Sequence, residues 1–286
     1  MEQKSKNIIE VYNQLIFPIW QRKHSNLILK LFDKPRVPVK ALEINCRNGY
    51  LTYELAKRVP DKSSIIAIDP SRDMLNYAME ATLPFQNVIY FKKDSELSNF
   101  DKGVFDYVFL SNSNINKHSK KSIEKIKDYL TAGGAFAVTF INKGAFREFF
   151  DHFLDIVRTI DEEPYMIAVE DAINNLIGEE EIPEVFSSFG LDVIRTEKRS
   201  ISISFESGST IMEMPYFYFI ILPVFKYSVS TIPNWEEVTN RVKDLLIDQL
   251  EKLKKGEFSE TTLKAIINNL KVDKIKERES NQGRAY

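Results

Sequence analysis

The residues best suited to chemistry stand together at the end of Val39-Lys-Ala-Leu-Glu-Ile-Asn-Cys-Arg-Asn-Gly49. Leu42 and Ile44 supply the apolar body of a buried strand, Glu43 sits near its carboxyl end, and Gly49 permits a bend that a side chain would block. A helix over about 50–59 then offers unpaired N–H groups to whatever lies above the strand. Asp69 follows 26 residues after Glu43, at the end of a second apolar strand, Ser64-Ile-Ile-Ala-Ile-Asp69. An acid at that distance is placed to accept hydrogen bonds from ribose hydroxyls in a strand-helix-strand nucleoside site.

The elements that position these residues alternate regularly. Strands are expected at 39–45, 64–69, 87–92, 105–111 and 135–141, and helices at 49–59, 71–82 and 119–130. Strands separated by helices pair in parallel, so the expected fold class is α/β with a doubly wound sheet. Ser71 is the expected N-cap of the helix at 71–82, and Gly133-Gly134 ends the helix before the fifth strand. Ligands of open α/β sheets bind at the strands' carboxyl ends, so Glu43, Asp69, Asp94 and Asn112 should converge on one crevice.

Composition narrows the partners. The chain has 286 residues, 43% hydrophobic and 28% charged, which are globular values. A net charge of −2 gives no electrostatic reason to expect a nucleic acid. The single cysteine, Cys46, excludes an internal disulfide framework and fits a reducing cytoplasm. The N-terminal residues lack a secretion-signal pattern. The most apolar run, Tyr216 to Phe225, is ten residues long and contains Pro223, too short to span a bilayer. No histidine pair has metal-ligand spacing on a helix, so no metal is expected. His24 and His152 fall in charge-rich helices, and His118 lies just past the fourth-strand loop.

Five strings fall in register with one family: "ALEINCRNGY", "IIAIDPSRDMLNYA", "YFKKDSEL", "FDYVFLSN" and "YLTAGGAFAVTF". Residues 39–142 thereby resemble a class I S-adenosylmethionine-dependent methyltransferase. The resemblance implies a mostly parallel seven-stranded Rossmann-like sheet, with S-adenosylmethionine as cofactor and S-adenosylhomocysteine as product. It implies that Glu43 orients the first turn and the methionine amino group. Asn45, Arg47 and Gly49, with Cys46 between them, stand where the family places three glycines against the methionine moiety. Asp69 would take the ribose hydroxyls, Pro70 and Met74 would pack on adenine, and Asp94 with Ser95 would meet the adenine amino edge. Ser111 and Asn112 would line the methionine end. No catalytic base is apparent; methyl transfer from a sulfonium relies chiefly on in-line positioning.

Two of the three expected glycines are replaced. Asn45 tolerates a left-handed backbone better than other side chains do. Arg47 either points outward, leaving the pocket usable and its charge free to pair with the cofactor's carboxylate, or points inward, fills the site and makes the domain a non-catalytic relic. A nicotinamide-dinucleotide site is disfavoured, because the turn lacks the Gly-x-Gly-x-x-Gly spacing.

Residues 1–34 read as an N-terminal helical segment interrupted at Pro18, on which Tyr12 and Trp20 are either core or cover for a bound cofactor. The Rossmann-like domain spans 35–206. Within it an amphipathic helix runs from Ala145 to Ile160, followed by the break Asp161-Glu-Glu-Pro164, a helix near 179–189, and an edge or antiparallel strand ending at Phe205. Residues 207–271 read as a helical extension, with helical periodicity at 235–253 and 259–270. Its aromatic and methionine-rich centre serves as core, as a lid over the acceptor, or as a surface for a second copy or another protein. Residues 272–286 read as a disordered tail. The expected function is methyl transfer to a small, partly apolar acceptor molecule; the alternative is a methyltransferase-like scaffold that has lost catalysis.

Overall fold

The protein is described by a computed structural model covering residues 8–85, 89–93, 100–205, 208–212, 215–254 and 261–274. Its centre is a parallel sheet of five strands: β1 (Lys40–Ile44), β2 (Ser64–Asp69), β3 (Ile89–Lys93), β4 (Phe105–Ser113) and β5 (Leu130–Ile141), in the spatial order β3-β2-β1-β4-β5. Leu42 pairs with Ile66 on one side and Val108 on the other, and Val108 pairs with Phe136. Successive side chains of a strand face opposite ways, so neighbouring residues enter different cores. Leu42, Val108 and Phe136 join α5 (Lys120–Tyr129) and α8 (Ile182–Ser188) through Ile123, Ile126 and Phe186. Ala41, Phe109 and Ala137 join Ile28, Leu51 and Leu55 on the other face. With both faces covered, these strands read as apolar runs rather than alternations. The expected α/β class is what the chain adopts.

The strand order reverses direction between β1 and β4. That reversal opens a crevice at the carboxyl ends of the strands. The turn after β1 and the first residues beyond β4 flank it.

Three expectations for the rest of the chain change. Pro18 does not divide the N-terminal helix: α1 (Tyr12–Gln21) is π-type and runs directly into α2 (Arg22–Leu31). The wider hydrogen-bond register accommodates the proline's missing donor, which a regular α-turn would expose as a break. Pro164 likewise starts a helix instead of interrupting one. It lies in the first turn of α7 (Glu163–Asn174), where its absent N–H has no intrahelical partner to lose, after α6 (Arg147–Thr159) and a left-handed Asp161.

The third change concerns the stretch at 259–270. Its described part belongs to β7 (Thr261–Lys274), a strand and not a helix. β7 lies between β5 and β6 (Leu191–Phe205), antiparallel to both. Leu263, Ile266, Ile267 and Leu270 fit a helical period, but the segment is also rich in β-branched residues. The unpaired backbone groups along β5 and β6 decide the outcome, since a strand inserted there satisfies both. The 207–271 extension is therefore not helical throughout, and residues 272–274 continue the strand; residues 275–286 lie outside the described part.

Above the crevice lies a large aromatic layer. Tyr12, Ile16 and Trp20 of α1 pack with Phe149, Phe150 and Phe153 of α6, with Tyr165 of α7, and with Met212, Phe217, Ile220 and Phe225. After α9 (Gly208–Met212) and α10 (Lys226–Val229), the long helix α11 (Trp235–Lys254) closes this layer with Val242 and Leu246. The aromatic segment beyond residue 207 is thus core. Among the described residues no helix is long and apolar enough to cross a membrane.

Candidate functional site

The turn between β1 and α3 (Tyr50–Ala56) has an alternating left-handed backbone. Asn45, Arg47 and Gly49 have φ of 58°, 51° and 75°. These are the three places at which the resemblance expects glycine, so the glycine conformation persists at two positions that lack glycine. A side-chain-bearing residue in this region costs about 1–2 kcal/mol, and such strain collects at ligand sites. Gly49 is held by packing too: a Cβ built on it would lie 2.8 Å from the Ala78 Cβ of α4 (Arg72–Ala81).

Asp69 secures the turn. Its Oδ2 accepts the Arg47 backbone N–H at 2.9 Å, and its Oδ1 accepts the Ser71 N–H at 2.9 Å. Cys46 adds a backbone N–H to the Ile68 carbonyl at 3.0 Å. Ser71 caps α4 as expected, accepting from the Met74 N–H at 3.3 Å.

Glu43 lies beneath the turn and fully buried, its Oε2 accepting the Thr52 hydroxyl at 2.6 Å. Burial pushes its carboxyl up to about 8, so it is an uncharged acid at neutral pH. Burial, together with the charges of Glu43 and Asp69, also pushes the Cys46 thiol up. The helix N-terminus beside it does not activate it, and it serves as a small buried apolar residue.

The N-terminal helix covers the crevice. Asn13 accepts from the Asn48 side chain at 2.8 Å, the Gln21 amide donates to the Ser111 Oγ at 3.0 Å, and the Ser25 and Ser111 hydroxyls lie 3.3 Å apart. Tyr50 donates to Asn26 at 2.9 Å, and Phe17 meets the Tyr50 ring edge-on at 5.1 Å. Tyr12 and Trp20 both take part. The Trp20 ring meets that of His24 edge-on at 4.8 Å, and the Arg47 guanidinium lies 5.9 Å from the centre of the Tyr12 ring.

Arg47 therefore turns inward, toward α1 and α2, and is half-buried. Its charge is felt at Tyr12 and at His24. Burial and that neighbouring cation hold the His24 imidazole down to about 3, and burial pushes the Tyr12 phenol up to about 12, so both are uncharged at neutral pH. The Tyr12 hydroxyl and the Arg47 guanidinium face each other, and several other buried polar atoms here lack a hydrogen-bond partner: the Gln21 Oε1, both ring nitrogens of His24 and the Arg47 Nε, with the Asn142 Oδ1 just after β5. Buried polar groups are nearly always paired, and each orphan costs about 1–3 kcal/mol. These unpaired atoms gather at the carboxyl edge of the sheet, under the N-terminal helix.

The structure thus brings Asn45, Cys46, Arg47, Gly49, Asp69 and Ser111 to one crevice, with Glu43 supporting it from below. Met74 is buried in the same apolar layer as Tyr12 and Trp20, while Pro70 is exposed. Asp94 and Ser95 lie outside the described residues, as does the side chain of Asn112. Gln21, His24, Ser25, Asn48 and Asn142 are additions that sequence reasoning missed. One signal existed: His24 precedes Leu27, Ile28 and Leu31 at steps of three, four and seven, which places it on the apolar stripe of its helix despite the flanking Arg22 and Lys23. His118 is exposed, 3.7 Å from Asp171.

Comparison with known proteins agrees with this architecture. Residues 41–134 match the family model described as a methyltransferase domain. Over 121 residues the chain is 29% identical to the ubiquinone/menaquinone biosynthesis C-methyltransferase UbiE of Wigglesworthia glossinidia brevipalpis, a match covering 41% of this chain and 48% of that protein. The chain thus spans about half the length of the curated relative it matches. A candidate methyltransferase from Bacillus halodurans C-125 superposes with a TM-score of 0.52 at 12% identity, over 88% of this chain and 99% of that one. YcgJ of Bacillus subtilis superposes at 0.51 and 13% identity, over 88% and 98%. These two likenesses are of fold. The match over residues 41–134 agrees with the resemblance read from the sequence strings.

Proposed function

We propose that this protein transfers a methyl group from S-adenosylmethionine to a small, partly apolar acceptor. The observation that carries the reading is the turn itself, which keeps three left-handed residues against the Asp69 carboxylate and faces a wall of unpaired polar atoms. The residues present fit the cofactor. Asp69 keeps lone pairs for ribose hydroxyls, Met74 offers an apolar surface, and Arg47 supplies a cation on the methionine side. When bound, the cofactor supplies an electrophilic methyl on a sulfonium. The chain's share is to orient it and keep water out, which the α1–α2 cover and the aromatic layer do.

In this reading residues 35–206 hold the cofactor, and the apolar layer contributed from 207 onward shapes the acceptor side. The Trp20 ring beside His24, continued through Phe146 to Phe150, supports an acceptor with apolar surface. The protein's place of work is the cytoplasm, in keeping with its single, buried thiol. Calorimetry with S-adenosylmethionine and S-adenosylhomocysteine tests the proposal. Saturable heat at micromolar ligand is expected; folded protein that gives none at millimolar ligand overturns it and leaves the scaffold reading.

A further inference from the structure

The N-terminal helices have two faces, and the crevice uses one. Tyr12, Ile16, Trp20, Leu27, Ile28 and Leu31 form the stripe that α1 and α2 bury. On the opposite side Glu10, Leu15, Pro18, Arg22, Asn26 and Lys30 recur at steps of three to five and stay in solvent, making one continuous ridge. The first half of the ridge is largely apolar: Ile8, just before α1, and Leu15 are 44% and 40% exposed, with Pro18 beyond them. The second half is cationic, with Arg22, Lys23, Lys30, Lys34 and Arg36, and Val37 follows at 66% exposure. Among the described residues none of these five cations pairs with a carboxylate; Arg22 only rests 5.9 Å from the centre of the Tyr50 ring. The lysines around α5 differ, since Lys117 lies 2.6 Å from Glu181 and Lys120 lies 4.0 Å from Glu124. Residues 1–40 hold eight lysines and arginines against three acids, a net charge of +5, whereas the whole chain is at −2 and residues 41–286 therefore carry −7. Such asymmetry between parts of a chain marks a surface for a polyanion.

We propose that this ridge docks on an anionic lipid surface, with Arg22, Lys30, Lys34 and Arg36 among the headgroups and Ile8, Leu15 and Val37 at the boundary with the acyl chains. Cations alone would suit any polyanion. The apolar side chains beside them select the bilayer, because a phosphate backbone gives Ile8, Leu15 and Val37 nothing to bury against, whereas the headgroup–acyl boundary accepts both kinds of side chain. The buried stripe of the same helices covers the crevice. A docked molecule thus holds its crevice about one helix diameter, roughly 10 Å, from the lipid. Docking needs no change of fold and is independent of what the crevice binds.

The test is co-sedimentation of the full chain with vesicles of phosphatidylcholine alone and of phosphatidylcholine containing about 30 mol% phosphatidylglycerol. Binding to the anionic vesicles alone is expected, falling about tenfold or more as salt rises from about 50 to about 500 mM. The triple variant Lys30→Gln, Lys34→Gln, Arg36→Gln should weaken it about 100-fold, at about fivefold per cation. Leu15→Ser with Val37→Ser should weaken it about tenfold at every salt concentration, since that part is apolar burial. All five positions are exposed, so each variant should melt with the parent, and Lys121→Gln on the exposed side of α5 is a matched control that should leave binding unchanged. Three results overturn the proposal: no sedimentation with the anionic vesicles at low salt, equal binding to neutral vesicles, or unchanged binding by the triple variant. A short DNA duplex that the parent binds more tightly than the anionic vesicles, with Leu15→Ser and Val37→Ser without effect, overturns it as well and makes the ridge a nucleic-acid surface.

Discussion

The backbone N–H of Arg47 donates to the Oδ2 of Asp69 at 2.9 Å, so the acid that closes the second strand also fixes the strained bend that follows the first. The other oxygen of the same carboxylate accepts the Ser71 N–H, which ties the bend to the start of α4. A single side chain thereby joins the turn, the next helix and the place where ribose hydroxyls would lie. Asp69→Ala removes all three connections. It should destabilise the fold by about 1–3 kcal/mol, since two part-buried N–H groups lose their acceptors, and weaken S-adenosylhomocysteine binding by about 1–3 kcal/mol. Urea denaturation and calorimetry at a temperature where the variant is folded give the two numbers; unchanged affinity would place the ribose elsewhere.

Gly49→Ala should be costly for two separable reasons. The residue has φ +75°, and a Cβ would meet the Ala78 Cβ at 2.8 Å and its Cα at 3.0 Å. Left-handed strain and overpacking together predict a loss of about 2–4 kcal/mol. Replacing Ala78 by Gly in the same chain should recover the Cβ–Cβ part of the clash and leave the backbone contact and the strain, a partial non-additivity visible in a double-mutant cycle of denaturation midpoints.

Stability should depend on pH through two buried groups that act in opposite directions. Glu43 has its carboxyl raised from 4.5 to about 8, so the folded state holds a proton that the unfolded chain releases. Its contribution is full below about 4.5 and is lost as pH rises toward 8, at up to about 1.4 kcal/mol per unit. His24 is lowered from 6.5 to about 3, so the unfolded chain takes up a proton that the folded state refuses. Its contribution is full above about 6.5 and is lost as pH falls toward 3. Over 4.5–6.5 the two slopes cancel, which predicts a plateau, with decline above it from Glu43 and below it from His24. Glu43→Gln should gain on the parent protein as pH rises from 6.5 to 8, and His24→Phe should gain as pH falls from 4.5 to 3; parallel urea midpoints for parent and variants would refute these assignments.

Tyr165 ties the helices above the crevice together. Its hydroxyl lies 2.7 Å from the Thr239 Oγ1, which itself donates to the Trp235 carbonyl at 2.7 Å, so the phenol is the donor to Thr239. Tyr165→Phe keeps the ring in the aromatic layer and removes that link between α7 and α11. A loss of about 0.5–1.5 kcal/mol is expected, with amide exchange rising first in α11; a wild-type melting temperature would show that ring packing alone holds the helix.

Much of the architecture was legible from the chain because the parallel strands are buried on both faces and carry their polar groups at the carboxyl ends, as Ile68-Asp69 does. The cap at Ser71 and the need for left-handed residues at Asn45 and Gly49 were readable for the same local reason: a short polar side chain or none at all permits only certain backbones there. Three-dimensional packing decided the rest. Pro18 and Pro164 read as breaks until the hydrogen-bond register around each is known, and the stretch from Thr261 reads as helix or strand until β5 and β6 present their open edges. The direction of the Arg47 side chain and the company it keeps are of the same kind. Tyr12, Gln21 and His24 come from a helix more than twenty residues upstream, and whether a buried polar atom finds a partner is a property of contacts between segments that no local pattern of residues records.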